Sequence, residues 1–265
     1  MGDIPGGARV GTLVHDILEH TDFAAADLAG ALASAADQAG AGRVLVGGQD
    51  LLVAGLVASL DTPLGPLLDG RRLRDLPRAD RLDELAFDLP LAGGDSPTGA
   101  VTMAAIADLF ATLPAGDPVA RYHERLRDPV LAAEVRGFLT GSIDLVARVG
   151  DRHVVIDYKT NRLGLPGEPL TGWHYRPEAL TRSMFDANYP LQACLYSVAL
   201  HRYLRWRLPA YDPERHLGGC AYLFLRGMVG PATPAIDGQP FGVFAWHPPA
   251  SFVTGLSDLL DRGST

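Results

Sequence analysis

The sequence predicts an α/β fold in which a central mixed β-sheet is flanked by helices. Alternating apolar residues mark several strands, and longer amphipathic or alanine-rich stretches between them mark helices. The stretch "GSIDLVARVGDRHVVIDYK" reads as a β-hairpin and lies near the middle of the chain. With 265 residues, 47% of them hydrophobic and 20% charged, the chain has an ordinary globular composition and can bury a sizeable core.

The first half of the chain is predicted to be mainly helical. Helices are expected over five segments: 10–20, 24–40, 49–60, 100–112 and 129–135. In the first of these, Val14, Ile17 and Leu18 fall on one helix face. Leu85, Phe87 and Leu89 alternate along 81–91 and predict a strand, which a loop over 92–99 follows.

The second half is predicted to supply most of the sheet. Residues 164–187 are rich in glycine and proline and are expected to be mostly loop. Pro190 suits the first turn of a strong helix that follows it. The remaining expected elements are strands over 138–149, 153–159, 218–228 and 241–247, and helices over 190–208 and 250–262.

The register of the hairpin follows from its turn. Gly150-Asp151 suits a two-residue turn, which pairs Val149 with Arg152 and places Asp144 directly opposite Asp157. Directly opposed residues share a face, with Cβ atoms about 4.5–5.5 Å apart. Period-two alternation puts Lys159 on the same face and directs four side chains to the other face: Ile143, Leu145, Ile156 and Tyr158.

Two facing carboxylates need a proton or a cation between them. Oxygen ligands of this kind suit Mg²⁺, and a metal beside an amine suits phosphodiester hydrolysis. Lys159 could position or deprotonate water, or stabilise the pentacoordinate phosphate. The alternative is an acid pair on a solvated face, with Lys159 as its salt-bridge partner. Lys159 is, however, the only lysine among 23 basic residues, which indicates that this position needs an amine.

Composition limits the possible functions further. A net charge of −8 argues against a general nucleic-acid-coating protein, although residues 193–230 carry five arginines against two acids. Cys194 and Cys220 are too few for a four-cysteine cluster, and we expect them to be reduced and buried in a cytoplasmic protein. No apolar run reaches the roughly 18 residues of a membrane span, so no membrane contact is expected.

The spacing D-x₁₂-D-x-K resembles the signature of the PD-(D/E)xK nuclease superfamily. "GFLTGSIDLVARVGDRHVVIDYKTNRLG" and the segment from "YPLQACLYSVALHRYLRW" to "YLFLRGM" are similar to RecB-type nuclease domains of helicase–nucleases. "GTLVHDILEH" and "FAWHPP" extend the similarity over nearly the whole chain. The resemblance implies a restriction-endonuclease-like core and one nuclease domain over 1–265, with a mainly helical part (1–136), a catalytic core (137–228) and a C-terminal strand and helix (229–265).

The resemblance also implies a site and its partners. It implies metal ligands at His15, Asp144, Asp157 and the Tyr158 carbonyl. The catalytic residues that it implies are Asp144, Asp157, Lys159, Glu84, Gln192 and Tyr196. Gln192 and Tyr196 lie four residues apart, which places them on one helix face. The expected cofactor is Mg²⁺, and the expected substrate is single-stranded DNA threaded from a helicase that acts with RecC- and RecD-like subunits.

Less specific readings stand beside this one. His15 could be structural, Gln192 and Tyr196 could be helix surface, and Trp173, Trp206 and Trp246 are expected to pack rather than stack on bases. One rival is a catalytically silent scaffold of nuclease fold that binds DNA or partner subunits. It predicts loss of the acids or the lysine, and all three are present. Another rival is an exonuclease with an iron–sulfur cluster, which two cysteines disfavour.

Overall fold

A five-stranded mixed sheet forms the centre of the chain. A computed structural model describes residues 2–45, 47–92, 100–132, 134–165 and 167–263. The strands are β1 (Arg81–Pro90), β2 (Val101–Thr102), β3 (Glu134–Val135), β4 (Phe138–Val149), β5 (Arg152–Lys159), β6 (Leu217–Phe224), β7 (Ala235–Ile236), β8 (Gln239–Pro240) and β9 (Val243–Trp246). The order in the large sheet is β1-β4-β5-β6-β9, and two short pairs, β2-β3 and β7-β8, lie outside it.

Helices surround this sheet. They are α1 (Ala8–His20), α2 (Leu28–Gln38), α3 (Ala41–Val44), α4 (Gln49–Leu60), α5 (Met103–Phe110), α6 (Tyr122–Leu126), α7 (Pro177–Asp186), α8 (Tyr189–Arg207), α9 (Pro213–His216) and α10 (Ala250–Arg262). Short 3₁₀ turns cover Pro66–Leu68, Leu73–Asp75, Arg78–Asp80, Pro129–Leu131, Gly172–Tyr175 and Leu225–Gly227. Among the described helices, none is long and apolar enough to cross a membrane.

The sheet is mixed because one pair of neighbours is joined by a crossover. β5 and β6 run parallel, and α8 lies in the connection between them. Parallel neighbours need such a long connection, usually a helix. The other neighbouring pairs are antiparallel. The α/β class and the mixed sheet flanked by helices are therefore confirmed.

Two apolar clusters sandwich the sheet. On one face, Leu145, Ile156 and Tyr158 pack with α1 and with α2–α4. On the other face, Val155 and Tyr222 pack with α5–α8 and α10. Each strand of the hairpin thus has a core on both sides, which restricts how its polar side chains can be placed.

Several predicted elements differ in the structure. The predicted helix over 129–135 is wrong, because Pro129–Leu131 forms a 3₁₀ turn and Glu134–Val135 forms β3. The predicted loop over 164–187 contains α7, which begins at Pro177 and buries Leu180 and Met184 one turn apart. Pro177 in the first helical turn was a usable signal. Residues 93–99 of the predicted loop over 92–99 lie outside the described residues.

The tryptophans also differ from expectation. Trp246 is buried as expected, whereas Trp173 and Trp206 are 60% and 76% exposed, although their rings contact Phe241 and Tyr203 edge-on. Each exposed ring carries an arginine guanidinium over it, from Arg176 and Arg207 respectively. Both cysteines are free and buried, as predicted.

Candidate active site

The turn of the hairpin has the predicted register. Gly150 adopts a left-handed φ of 62°, which glycine reaches without strain, at the first position of the two-residue turn. The backbone pairs run from Val149 opposite Arg152 to Leu145 opposite Ile156. The ladder ends there, so the predicted pairing of Asp144 directly opposite Asp157 is not among the described backbone pairs.

Before Leu145 in the chain, the side chains of β4 no longer follow the simple alternation between the two faces of the sheet. Glu84 in β1 has a left-handed φ of 49°, and the β1–β4 pairing skips Glu84 and Asp144 while keeping the same register on either side. Leu145 therefore packs on the α1 side, whereas Ile143 packs on the α8 side. The expectation that Ile143 shares a face with Leu145 is wrong, because alternation is interrupted where Asp144 leaves the ladder.

Asp144 is fixed by a strand neighbour and a helix. Its Oδ2 accepts the Tyr158 amide N–H at 2.8 Å, and its Oδ1 lies 3.2 Å from His15 Nδ1. The other ring nitrogen of His15, Nε2, lies 3.0 Å from the Tyr158 carbonyl oxygen. An imidazole that donates to two oxygens carries both protons. The helix α1 thus places a cationic group between two of the oxygens predicted to bind metal.

The protonation of His15 agrees with this geometry. Partial burial lowers the pKa of His15, but the hydrogen bond to Asp144 and the charges of Asp144 and Asp157 outweigh burial and raise it above 6.5. The site therefore favours positive charge at the position of this imidazole.

Asp157 and Lys159 form an ion pair at the end of β5. Lys159 Nζ lies 2.6 Å from Asp157 Oδ2, and the two side chains are only 12% and 3% exposed. Burial, with a smaller contribution from the charge of Asp144, outweighs the opposing effect of Lys159 and raises the pKa of Asp157 to about 7. Asp144 and Asp157 therefore act on each other electrostatically, and each contacts a different cationic side chain.

Lys159 is held by a polar and aromatic pocket. Its ammonium donates to Gln192 Oε1 at 3.3 Å, and the same oxygen accepts the Tyr222 hydroxyl at 3.1 Å. Gln192 Nε2 donates to the Tyr196 hydroxyl at 3.0 Å, so this predicted pair does share a face of α8. The ammonium also lies 4.1 Å from the Tyr189 ring centroid and 5.2 Å from that of Tyr222, both within cation–π range.

Glu84 lies at the margin of this arrangement. It is opposite Asp144 in the β1–β4 register, and its carboxyl hydrogen-bonds Glu19, one helical turn after His15 on α1. Partial burial and the contact with Glu84 raise the pKa of Glu19, since two close carboxyls share a proton more readily than they both ionise. The described contacts of Glu84 do not reach Lys159, so a direct role for Glu84 stays a prediction.

An exposed group on α1 is distinct from this site. Potential ligand atoms of Asp16, Glu19 and His20 lie within 4.8 Å of one another. His20 and Asp16 already form an ion pair at 3.1 Å, and their side chains are largely exposed. Exposed acidic groups of this kind are common without an ion, and this group shares no residue with the predicted ligands.

By donor chemistry the predicted ligands suit a hard divalent cation, although His15, Asp144 and Asp157 are not among the described groups whose potential ligand atoms lie within 4.8 Å of one another. The donor set is two carboxylates, one backbone carbonyl and one imidazole, and oxygen-rich sets with few nitrogens suit Mg²⁺ or Mn²⁺. In the structure, the His15 imidazolium occupies the space between Asp144 and the Tyr158 carbonyl. A metal ion would replace that positive charge, and His15 would then bind through a deprotonated nitrogen.

Comparison with protein families identifies the superfamily to which the chain belongs. A family model of the PD-(D/E)XK nuclease superfamily matches residues 4–237. The chain belongs to the PD-(D/E)XK nuclease superfamily. The match spans His15, the hairpin and α8, so every predicted site residue lies inside it.

Individual relatives within this superfamily are RecB proteins. The chain is 47% identical over 264 residues to the RecBCD enzyme subunit RecB of Mycolicibacterium smegmatis and 48% identical over 271 residues to that of Mycobacterium tuberculosis. It is 34% identical over 267 residues to the Escherichia coli subunit. Each match covers 98% of this chain but only 20–24% of the relative. The chain is a RecB-like nuclease domain that spans about a quarter or less of these relatives.

Three residues that contact predicted site residues were missed by sequence reasoning. Tyr189 and Tyr222 enclose Lys159, and Glu19 contacts Glu84. Glu19 lies four residues after His15, so helical periodicity could have indicated it. Tyr222 could not be indicated, since it depends on the parallel register that places it beside Asp157.

Proposed function

We propose that this chain hydrolyses DNA phosphodiester bonds with Mg²⁺, as the nuclease domain of a RecB-like helicase–nuclease. The observation that carries the proposal is the buried Asp157–Lys159 pair beside the Asp144–His15–Tyr158 contact. Negative oxygens and one amine converge there, which is the chemistry that phosphodiester hydrolysis requires.

Each side chain has a proposed part in the reaction. Asp144, Asp157, His15 and the Tyr158 carbonyl would hold the ion. When bound, Mg²⁺ would acidify water and offset the negative charge that grows on the phosphate. Lys159, released from Asp157 as that carboxylate turns to the ion, would direct its ammonium at the water or the phosphate. Gln192 would keep the lysine in place, since its Oε1 already accepts the ammonium.

The biological setting is proposed from the relatives. They are named as RecB subunits of the RecBCD enzyme, and this chain covers a quarter or less of their length. We propose that a helicase threads single-stranded DNA to this domain during the processing of double-strand breaks. RecC- and RecD-like subunits would be its partners, and cleavage would be exonucleolytic.

Cleavage of linear single-stranded DNA by the purified chain tests the proposal. We expect cutting that requires Mg²⁺ and stops with EDTA. Asp157→Ala and Lys159→Ala should each lower the rate about 10²–10⁴-fold, the range for a positioned proton-transfer group. Asp50→Ala, which removes an exposed carboxylate from α4, should cut like the wild type. Equal activity in all four proteins would refute the catalytic roles of Asp157 and Lys159. A wild type that cuts DNA with none of the divalent ions tested would favour a catalytically silent scaffold.

A further inference from the structure

A groove leads away from Lys159 along α7. It has a volume of about 460 Å³. One wall is the segment after β5, from Asn161 to Leu163, and the other is the face of α7 that carries Ala179, Arg182 and Ser183. No sequence pattern indicates this groove, because the segment that forms its second wall is predicted to be mostly loop.

A hydrogen bond links the groove to the candidate active site. Asn161 lines the groove two positions after Lys159, and its side-chain amide donates to the Tyr189 hydroxyl at 3.3 Å. The Tyr189 ring in turn lies 4.1 Å from Lys159 Nζ. The groove therefore lies next to the position of the proposed reaction, one side chain away from Lys159.

Arginines line both walls of the groove. Arg162 donates to the backbone carbonyls of Gly2 and Glu168, which hold its guanidinium without neutralising it. Arg182 is exposed and has no ion-pair partner among the residues that the structure describes. Asp186 is the acid in the lining, so two cations face one carboxylate. A positive groove on a chain of net charge −8 is suited to an anionic polymer.

An aromatic surface lies at the amino end of the same helix. Trp173 is 60% exposed just before α7, and the Arg176 guanidinium lies 4.7 Å from its ring centroid. Proteins bind single-stranded nucleic acid by combining a positive groove along the backbone with exposed aromatic rings on which bases stack. A carboxylate-rich peptide would use the arginines but would leave the exposed indole without a role.

We propose that this groove binds the sugar–phosphate backbone of single-stranded DNA next to the cleaved bond, with Arg182 contacting a phosphate and Trp173 a base. This subsite rests on the proposed nuclease function and adds to it the path of the strand. The path runs from Lys159 past Asn161 and Arg182 towards Trp173.

Kinetics with substrates of two lengths test the subsite. For a single-stranded oligonucleotide longer than the roughly 4–16 nucleotides of a typical site, Arg182→Ala should raise KM up to about fivefold with kcat unchanged. The slope of log KM against log salt concentration should fall by about 1, as for one lost phosphate contact. KM for a dinucleotide, whose single phosphodiester is the cleaved bond and which leaves no neighbouring phosphate for Arg182, should stay the same. Arg182→Lys, which keeps the charge, should recover most of the KM.

Arg43→Ala is the matched control, because Arg43 is an exposed arginine on α3, which packs against α1 and α2 rather than α7. If Arg182→Ala and Arg43→Ala have the same KM and the same salt dependence of KM, the proposed DNA-binding groove is refuted. The nuclease proposal is then unaffected, because the wild type still cuts DNA. If the wild type cuts neither substrate, the nuclease proposal fails, and fluorescence anisotropy in EDTA tests the groove separately. Arg182→Ala should then bind the labelled oligonucleotide several-fold more weakly than Arg43→Ala, and equal binding overturns the groove. Poly-aspartate that competes as well as the oligonucleotide would overturn the assignment to nucleic acid.

Discussion

Removing one hydroxyl group beside Lys159 should slow catalysis without weakening substrate binding. Tyr222→Phe deletes the hydrogen bond to Gln192 Oε1 at 3.1 Å and keeps the ring that lies 5.2 Å from the ammonium. A hydrogen bond between neutral groups contributes about 1 kcal/mol, which corresponds to about fivefold in rate if it is needed to orient the reacting groups. We therefore expect kcat for single-stranded DNA to fall about fivefold, with KM within about twofold of the wild type.

Tyr211→Phe is the matched control for this variant. The Tyr211 hydroxyl contacts His201 Nδ1 at 2.8 Å, further along α8 and away from Lys159. Both variants should lose about 1 kcal/mol of unfolding free energy in urea, and only Tyr222→Phe should lose kcat. Steady-state kinetics and urea titration on the same samples separate the two effects. An unchanged kcat in Tyr222→Phe, or an equal fall in Tyr211→Phe, would refute the positioning of Lys159 through Gln192.

Two further predictions concern protons and the segment after β5. The pKa of Asp157 is about 7 in the folded state against 3.8 ordinarily, so protonation of this carboxyl stabilises the fold. This contribution to the unfolding free energy is complete below pH 3.8 and is lost as pH rises through 7. The proton of Asp157 and one proton of His15 must both leave when the metal binds, so Mg²⁺ affinity should fall between about tenfold and a hundredfold per pH unit below pH 7, with proton release measurable by calorimetry in buffers of different ionisation enthalpy. A pH-independent affinity between pH 5 and 7 would contradict this. The buried Arg226 guanidinium donates to the carbonyls of Thr160, Ile4 and Pro5 at 2.6–2.7 Å, so Arg226→Met should lower the unfolding free energy in urea by about 3–5 kcal/mol. A loss below about 1 kcal/mol would show that these contacts do not hold the N-terminal segment against the chain that follows Lys159.

Local features of the fold were predictable from the sequence because local chemistry determines them. The Gly150-Asp151 turn sets the hairpin register as expected, and period-two alternation places Lys159 on the same side of β5 as Asp157, where the two side chains meet. Helical spacing places Gln192 and Tyr196 on one face of α8, as expected. The ranges 10–20 and 49–60 were close to the observed helices for the same reason, since amphipathic periodicity or a proline break marks them.

The remaining features depend on contacts between distant segments. Glu84 has a left-handed φ, and the alternation of side chains along the β1–β4 pair is interrupted at that point. Ile143 therefore lies on the opposite face of the sheet from the one predicted. No local pattern in "RLDELAFDLP" signals a positive φ at a glutamate. The contact between His15 and the Tyr158 carbonyl joins residues 143 positions apart, and only the resemblance to known nucleases suggested it. Glycine and proline near α7 obscured a helix that forms one wall of the groove.

A Mn²⁺-soaked crystal tests most directly whether the hairpin acids hold a divalent ion beside the lone lysine. The anomalous difference map should contain a peak about 2.0–2.2 Å from oxygens of Asp144, Asp157 and the Tyr158 carbonyl, with His15 turned to ligate it. Lys159 should then have left Asp157 while keeping its contact with Gln192. A peak only at Asp16, Glu19 and His20, or His15 still bridging Asp144 and Tyr158 in saturating Mn²⁺, would contradict the proposed metal site.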